Sequence, residues 1–152
     1  MGQPQGGFDV NRLSTGSKIL LGSGILYLIA LFFPWLGADL GDFGDLLGGI
    51  DVPDVSVNGW AGGIGTLSGV FVIALLAWEG MAAAGVKLGT ASPAMVGAVL
   101  GGLTAVFGLI NFIQSLDGLK IGAFIGLVAI VGLLYGAYVR FQESKVGPAP
   151  TV

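Results

Sequence analysis

The chain contains no cysteine and no histidine, and only 10% of its residues are charged. Without cysteine it has no disulfide, no thiol nucleophile and no thiolate ligand for a metal. Without histidine it lacks the commonest general base and the commonest metal ligand. Soluble domains carry about 25% charged residues, so the scarcity of charge also argues against a water-soluble protein. These absences remove the residues on which many catalytic and metal centres depend.

What the chain has in excess is apolar sequence. It is 152 residues long and 54% hydrophobic, with a mean hydropathy of +0.90. Four apolar runs approach the ~20 residues that a helix needs to cross a bilayer. We therefore predict an all-α, integral membrane four-helix bundle over residues 18–141, with a tail at 1–17 and a disordered tail at 142–152. The predicted spans are 19–36, 60–78, 94–113 and 119–139.

The basic residues predict the orientation of these spans. With four spans, five of the six Lys and Arg residues fall on one side, and Lys120 alone falls on the other. Short cytoplasmic loops carry the excess of basic residues in membrane proteins. The basic residues therefore predict both termini inside the cell and an outer loop at 37–59. The heavy use of Gly, Ala, Val and Leu, with few Lys or Asn, indicates a bacterial genome, and so a location in the bacterial plasma membrane.

Glycine is the second abundant feature, with 29 residues, many of them inside the apolar runs. Small residues on one helix face let helices approach closely in lipid. The first run is bulkier, and we expect it to face lipid more than the others. The small faces either pack the four helices together or dock another membrane protein. The residues expected at helix contacts are Gly65, Gly69, Gly97, Gly101, Gly108, Asn111, Gly122, Gly126 and Gly136.

The predicted outer loop is acidic: five of the nine acidic residues lie in it, with no Lys or Arg. Asp39, Asp42 and Asp45 recur every three residues, with apolar residues between them, which predicts a short interfacial helix. The aspartates form either a solvated face or, less in keeping with their spacing, a calcium site. We expect any partner outside the membrane to bind this region. The candidate partner surface is Asp39, Asp42, Phe43, Asp45, Asp51, Asp54, Asn58 and Trp60.

Polar side chains near the ends of the spans are expected to join helices. Asn111 lies about one turn from the outer end of the third span, where it should bridge helices and help to hold the loop. The residues expected beside it are Pro34, Trp35, Asn58, Trp60 and Gln114. At the inner end, Glu79 is expected to pair with Lys87 or Arg140 at the surface, and not to carry protons, because a coupling carboxylate would lie deeper in the membrane.

Several short motifs carry a resemblance to a group of known proteins. Phe33-Pro34-Trp35 closes the first span, Asn58-Gly59-Trp60 closes the acidic loop, and Ala77-Trp78-Glu79-Gly80 closes the second span. Over residues 18–140 the chain resembles small four-span membrane proteins of GC-rich Gram-positive bacteria. That resemblance implies the four-span topology and no catalytic residue. The layout is also similar to that of claudins by analogy, without the paired cysteines of the claudin loop.

The sequence thus favours a non-enzymatic function. We expect an integral membrane accessory or scaffold subunit that packs laterally against a larger membrane complex. Its small-residue helix faces and its acidic outer loop would make those contacts. The alternative is a small transporter, channel or lipid-binding protein. Lipid and another integral membrane protein are the expected partners, and no cofactor, metal ion or nucleic acid is expected.

Overall fold

The computed structural model describes residues 9–38, 45–49 and 55–146. Four helices in it are long and apolar enough to cross a membrane, and they pack together. The prediction of four long apolar helices in one bundle is therefore confirmed. We number them α1 to α4; they span Thr15–Phe32, Gly62–Ala83, Pro93–Gln114 and Ile121–Val146.

Local sequence sets where α1 and α3 begin. Ser14 precedes α1, and its side chain accepts a hydrogen bond from Ser17 N–H. Ser92 precedes α3 and accepts in the same way from Met95 N–H, with Pro93 in the first turn. Such caps satisfy backbone N–H groups that have no partner within the helix, and proline fits the first turn because its missing N–H is not needed there.

The end of α1 differs from the predicted span, which ran to residue 36. The helix ends at Phe32, and Phe33 is extended, with φ −80° and ψ 160°. The cause is Pro34, whose ring disfavours helical backbone at the residue before it. The chain then continues as a strand.

Two strands form a ribbon that the all-α prediction omits. Strand β1, Pro34–Ala38, pairs antiparallel with strand β2, Val55–Asn58, with an irregularity near its start. A further bridge joins Leu36 to Leu119, in the turn that leads to α4. The segment between α1 and α2 therefore leaves and re-enters the bundle as a paired ribbon.

The helices are arranged in a ring in which α1 contacts α2 and α4, and α3 contacts the same two helices. The expectation that α1 faces lipid is only partly right. Ile25, Ile29 and Phe32 are exposed, but the opposite face of α1 enters the core with Leu20, Tyr27 and Leu31. The largest fully buried side chains are Trp35, Tyr27, Leu20, Leu31, Leu75, Ile130 and Leu133.

Two other predicted segments are described in part. Helix α4 continues to Val146, so residues 142–146 of the expected tail are helical. Of the predicted loop helix, Asp45 and Leu46 have helical backbone, and Gly48 and Gly49 follow with positive φ of 89° and 83°. The rest of that helix, 39–44, lies outside the described residues.

Candidate functional site

The glycines expected at helix contacts lie against bulky groups inside the bundle. A Cβ atom at Gly97 would overlap Glu79 Oε1, and one at Gly69 or Gly126 would overlap a tryptophan ring. These positions need glycine because the neighbouring group occupies the space of a side chain. By contrast, a Cβ at Gly102 would meet nothing within 4 Å. The other closely contacted glycines of the predicted set are Gly65, Gly101, Gly108, Gly122 and Gly136.

A charged cluster joins three helices at the termini end of the bundle, where α1 begins and α4 finishes. Its centre is Glu79 of α2, which is 0% exposed. Arg140 of α4 donates to both Glu79 oxygens, from Nε at 3.1 Å and from Nη2 at 3.2 Å. Ser17 of α1 donates its hydroxyl to Glu79 Oε2 at 2.5 Å. Buried charges are stable when they are paired and hydrogen-bonded in this way.

A second carboxylate extends the charged cluster towards solvent. Glu143 accepts from Ser14 Oγ at 2.7 Å, from the backbone N–H of Gly16 at 2.9 Å and from Arg140 Nη1 at 3.3 Å. The guanidinium of Arg140 thus bridges two carboxylates and ties α4 to the start of α1. We use the name charged cluster for Ser14, Ser17, Glu79, Arg140 and Glu143.

The sequence offered two partners for Glu79, Lys87 or Arg140, and placed the pair at the protein surface. Glu79 pairs with Arg140 as expected, yet inside the protein, whereas Lys87 is exposed in the connection between α2 and α3. The burial of Glu79 could have been predicted from the helical spacing of the buried residues. The buried face of α2 runs through Val72 and Leu75 to Glu79 in steps of three and four residues. On α4, the buried glycines Gly122, Gly126 and Gly136 likewise lead to Arg140, which follows Gly136 by four residues.

At the opposite end, Gly59 ties the ribbon to the helices. Its N–H donates to the carbonyl of Leu31 in α1 at 2.9 Å. Its carbonyl accepts from Asn111 Nδ2 of α3 at 3.0 Å, and it lies against Gly65 of α2. A Cβ at Gly59 would be 2.6 Å from Trp35 Nε1. We call β1, β2 and Gly59 together the ribbon platform.

Trp35 and the turn before α4 complete this attachment. Trp35 is 1% exposed, donates from Nε1 to the Ala30 carbonyl at 2.7 Å and packs edge-on against Tyr27, with ring centroids 6.0 Å apart. Its carbonyl accepts from the N–H of Lys120 at 2.9 Å. The ribbon platform is therefore bonded to α1, to α3 and to the turn before α4, and packs on α2.

The structure places only part of the candidate partner surface. Asn58 is exposed, and its Oδ1 accepts from the N–H of Trp60 at 3.2 Å. The Trp60 ring covers Gly69 and lies 5.7 Å from the Phe32 ring, and its Nε1 is buried without a hydrogen-bond partner in the described part of the chain. Asp45 is exposed. The positions outside the described residues are Asp39, Asp42, Phe43, Asp51 and Asp54.

Among the described residues, no group of three or more acidic side chains is placed to hold a metal ion. Four of the five loop aspartates lie outside that part of the chain, so the calcium alternative stays a prediction. Of the five residues expected near Asn111, three share a cavity with it, whereas Pro34 and Trp60 are not among its described lining residues. Asn58, Gln114 and Trp35 line one cavity with it, of about 200 Å³.

The structure is thus a bundle of four apolar helices. Buried charged side chains join the helices at one end, and a two-stranded ribbon packs on them at the other. No family model matches the chain, and no curated protein or solved structure is significantly similar to it.

Proposed function

We propose that the four helices cross the bacterial plasma membrane with both termini in the cytoplasm. Each helix contains an apolar window with a mean hydropathy between 1.6 and 2.1. The charge distribution supports the orientation, because basic residues concentrate in cytoplasmic loops. Lys120 lies at the ribbon end, and the five basic residues at the termini end are Arg12, Lys18, Lys87, Arg140 and Lys145.

The absence of native cysteine makes this orientation directly testable. Ser56→Cys places a thiol on exposed β2, and Ala91→Cys places one in the exposed connection between α2 and α3. A membrane-impermeant maleimide applied to intact cells should label the first variant and not the second. Both should react after the cells are lysed. Labelling of Ala91→Cys alone in intact cells would reverse the orientation.

We further propose that the protein is a non-enzymatic accessory subunit that docks against a larger membrane complex. The observation that carries this proposal is the firm attachment of the ribbon platform to the helices. A loop that only connected two spans would not need Gly59 bonded to both Leu31 and Asn111. Such attachment holds β2 in a defined position with its side chains exposed, Val55 at 56% and Val57 at 40%. Pre-organised surfaces lose little freedom on binding a partner.

The filled interior supports an accessory role over transport. The space between the helices is occupied by large side chains such as Tyr27, Trp35 and Ile130. Both oxygens of the buried carboxylate, Glu79, are engaged by Arg140 and Ser17. A transporter that couples to protons needs a carboxylate that exchanges protons with a pathway, and this one is held in an ion pair.

Purification from native membranes tests the accessory role. The wild-type protein should co-purify with one stoichiometric partner. Replacing Val55 and Val57 with threonine keeps β-branched residues in the strand and should remove that partner. The matched control replaces Val128 and Val131, exposed on α4, with threonine and should retain it. A monodisperse protein without a partner would contradict the proposal.

The alternative function is a small transporter, channel or lipid-binding protein. One observation favours its lipid-binding form, namely the cavity beside Asn111.

A further inference from the structure

A cavity of about 200 Å³ opens at the rim of the bundle, between the ribbon platform and the ends of α2 and α3. We call it the rim pocket. This volume is several times the ~30 Å³ that one water molecule occupies in the liquid, so the pocket has room for a small organic group. The lining residues that matter here are Trp35, Val57, Asn58, Asn111, Gln114 and Ser115.

The polar atoms of the rim pocket keep unused hydrogen-bonding capacity. Asn111 is 6% exposed, and one N–H of its amide is bonded to Gly59. Ser115 is 5% exposed and donates its hydroxyl hydrogen to the backbone carbonyl of Asn111. Its Oγ can therefore still accept a hydrogen bond. Asn58 uses Oδ1 to accept from Trp60. A carboxamide has two donor hydrogens and an oxygen that accepts, so Asn111 and Asn58 can each bond a further group.

The described residues that line the rim pocket are uncharged. They supply three carboxamides and one hydroxyl, and no Lys, Arg, Asp or Glu is among them. A phosphate would require cationic or multiple backbone donors, and a calcium ion would require several carboxylate or carbonyl oxygens. Hydroxyl groups, which both donate and accept, match a mixed set of neutral donors and acceptors. The wall of Trp35 and Val57 supplies apolar surface for the carbon side of such a group.

We propose that the rim pocket binds an uncharged polyol, meaning a sugar or glycerol group. The source is either the headgroup of a glycosylated lipid or a free sugar of the same chemistry. A lipid headgroup fits the position of the pocket, because Trp35 and Trp60 beside it belong to the residue type that concentrates at membrane interfaces. This inference rests on the proposed membrane insertion but not on the proposed partner.

Selective ¹⁵N labelling of asparagine gives a direct test. The chain has three asparagines: Asn58 and Asn111 line the rim pocket, and Asn11 lies at the opposite end as an internal reference. Protein purified in a sugar-free detergent is placed in phosphatidylcholine nanodiscs that contain galactosyl diacylglycerol or, as a control, diacylglycerol. The side-chain amide signals of Asn58 and Asn111 should shift saturably with the galactolipid, and that of Asn11 should not.

Free methyl galactoside distinguishes the two sources. Shifts with the galactolipid alone assign the pocket to a lipid headgroup, and equal shifts with the free sugar assign it to a soluble polyol. Signals that stay unchanged with both probes would overturn the proposal and leave a pocket for water.

A space-filling substitution makes the test specific. Ala61 lines the rim pocket, and its side chain makes no helix cap, so Ala61→Leu fills space without removing a described hydrogen bond. It should weaken polyol binding by at least about tenfold, or about 1.4 kcal/mol. Ala74→Leu, on the exposed face of α2, the helix that follows Ala61, should bind like wild type. An unchanged affinity in Ala61→Leu would contradict the assignment, provided that its Asn11 signal and helix content are unaltered.

Discussion

The two ends of the bundle are held together by different chemistry. At the termini end, one guanidinium and two carboxylates join α1, α2 and α4 in the charged cluster. At the ribbon end, the contacts are neutral: backbone groups of Gly59, the amide of Asn111 and the indole of Trp35. The charged cluster thus fixes helices to one another, whereas the ribbon platform also leaves the side chains of Val55 and Val57 exposed.

The largest effect is expected from leaving Glu79 without its cation. Arg140→Leu keeps a carboxylate that is 0% exposed but removes two of its hydrogen bonds. Breaking a buried ion pair by removing one partner costs about 3 to 5 kcal/mol. Unfolding in mixed detergent micelles, followed by circular dichroism, should show a loss of that size.

The double variant Glu79→Leu, Arg140→Leu is the matched control for that prediction. Replacing both charges by apolar side chains of similar size is often neutral, so most of the lost stability should return. A double variant as unstable as Arg140→Leu would mean that the volume of Arg140, and not its charge, holds the helices.

A smaller loss is expected from crowding the charged cluster. In Gly97→Ala the new methyl group would overlap Glu79 Oε1, whereas in Gly102→Ala it would meet nothing within 4 Å. Both glycines lie on α3, so the change in helix propensity is matched. Overpacking costs about 1 to 3 kcal/mol. The unfolding assay should therefore show destabilisation for Gly97→Ala and little change for Gly102→Ala.

At the ribbon end the predicted effect is smaller and local. Asn111→Leu removes the bond to the Gly59 carbonyl, and such bonds in membrane proteins contribute about 0.6 to 1.7 kcal/mol. Amide hydrogen exchange at residues 55–59 should quicken by about 3- to about 20-fold, while exchange in the middle of α4 stays the same. The control is Gln114→Ala, an exposed residue one turn on. A uniform loss of protection along all four helices would contradict the local role.

Much of the fold is predictable from the sequence because long apolar helices leave a strong pattern. The four apolar runs overlap the four helices, since about 20 apolar residues without charge have few other uses. The predicted boundary of the first span is wrong because a single residue there has more influence than the apolar composition around it. Pro34 ends α1 early and lets the following residues pair with β2, and pairing between segments far apart in sequence has no local signature.

The site was less predictable because it depends on how helices are rotated about their axes. Because Glu79 follows an apolar run, the sequence predicted that it lies at the surface. Its depth follows from sharing a face with Val72 and Leu75, and from Gly97 leaving room for its carboxylate. Gly59 is similar, because nothing in the triplet Asn58-Gly59-Trp60 says that its carbonyl meets Asn111, which is 52 residues away.

The most direct test of partner docking on the ribbon platform is site-specific photo-crosslinking in living cells. A photoreactive amino acid at Val57 reports on the ribbon platform, and one at Val128, 66% exposed on α4, reports on an exposed helix face. We expect a single protein adduct of defined mass at Val57, matching the partner expected to co-purify, and mainly lipid adducts at Val128. Protein adducts at Val128 with none at Val57 would contradict it.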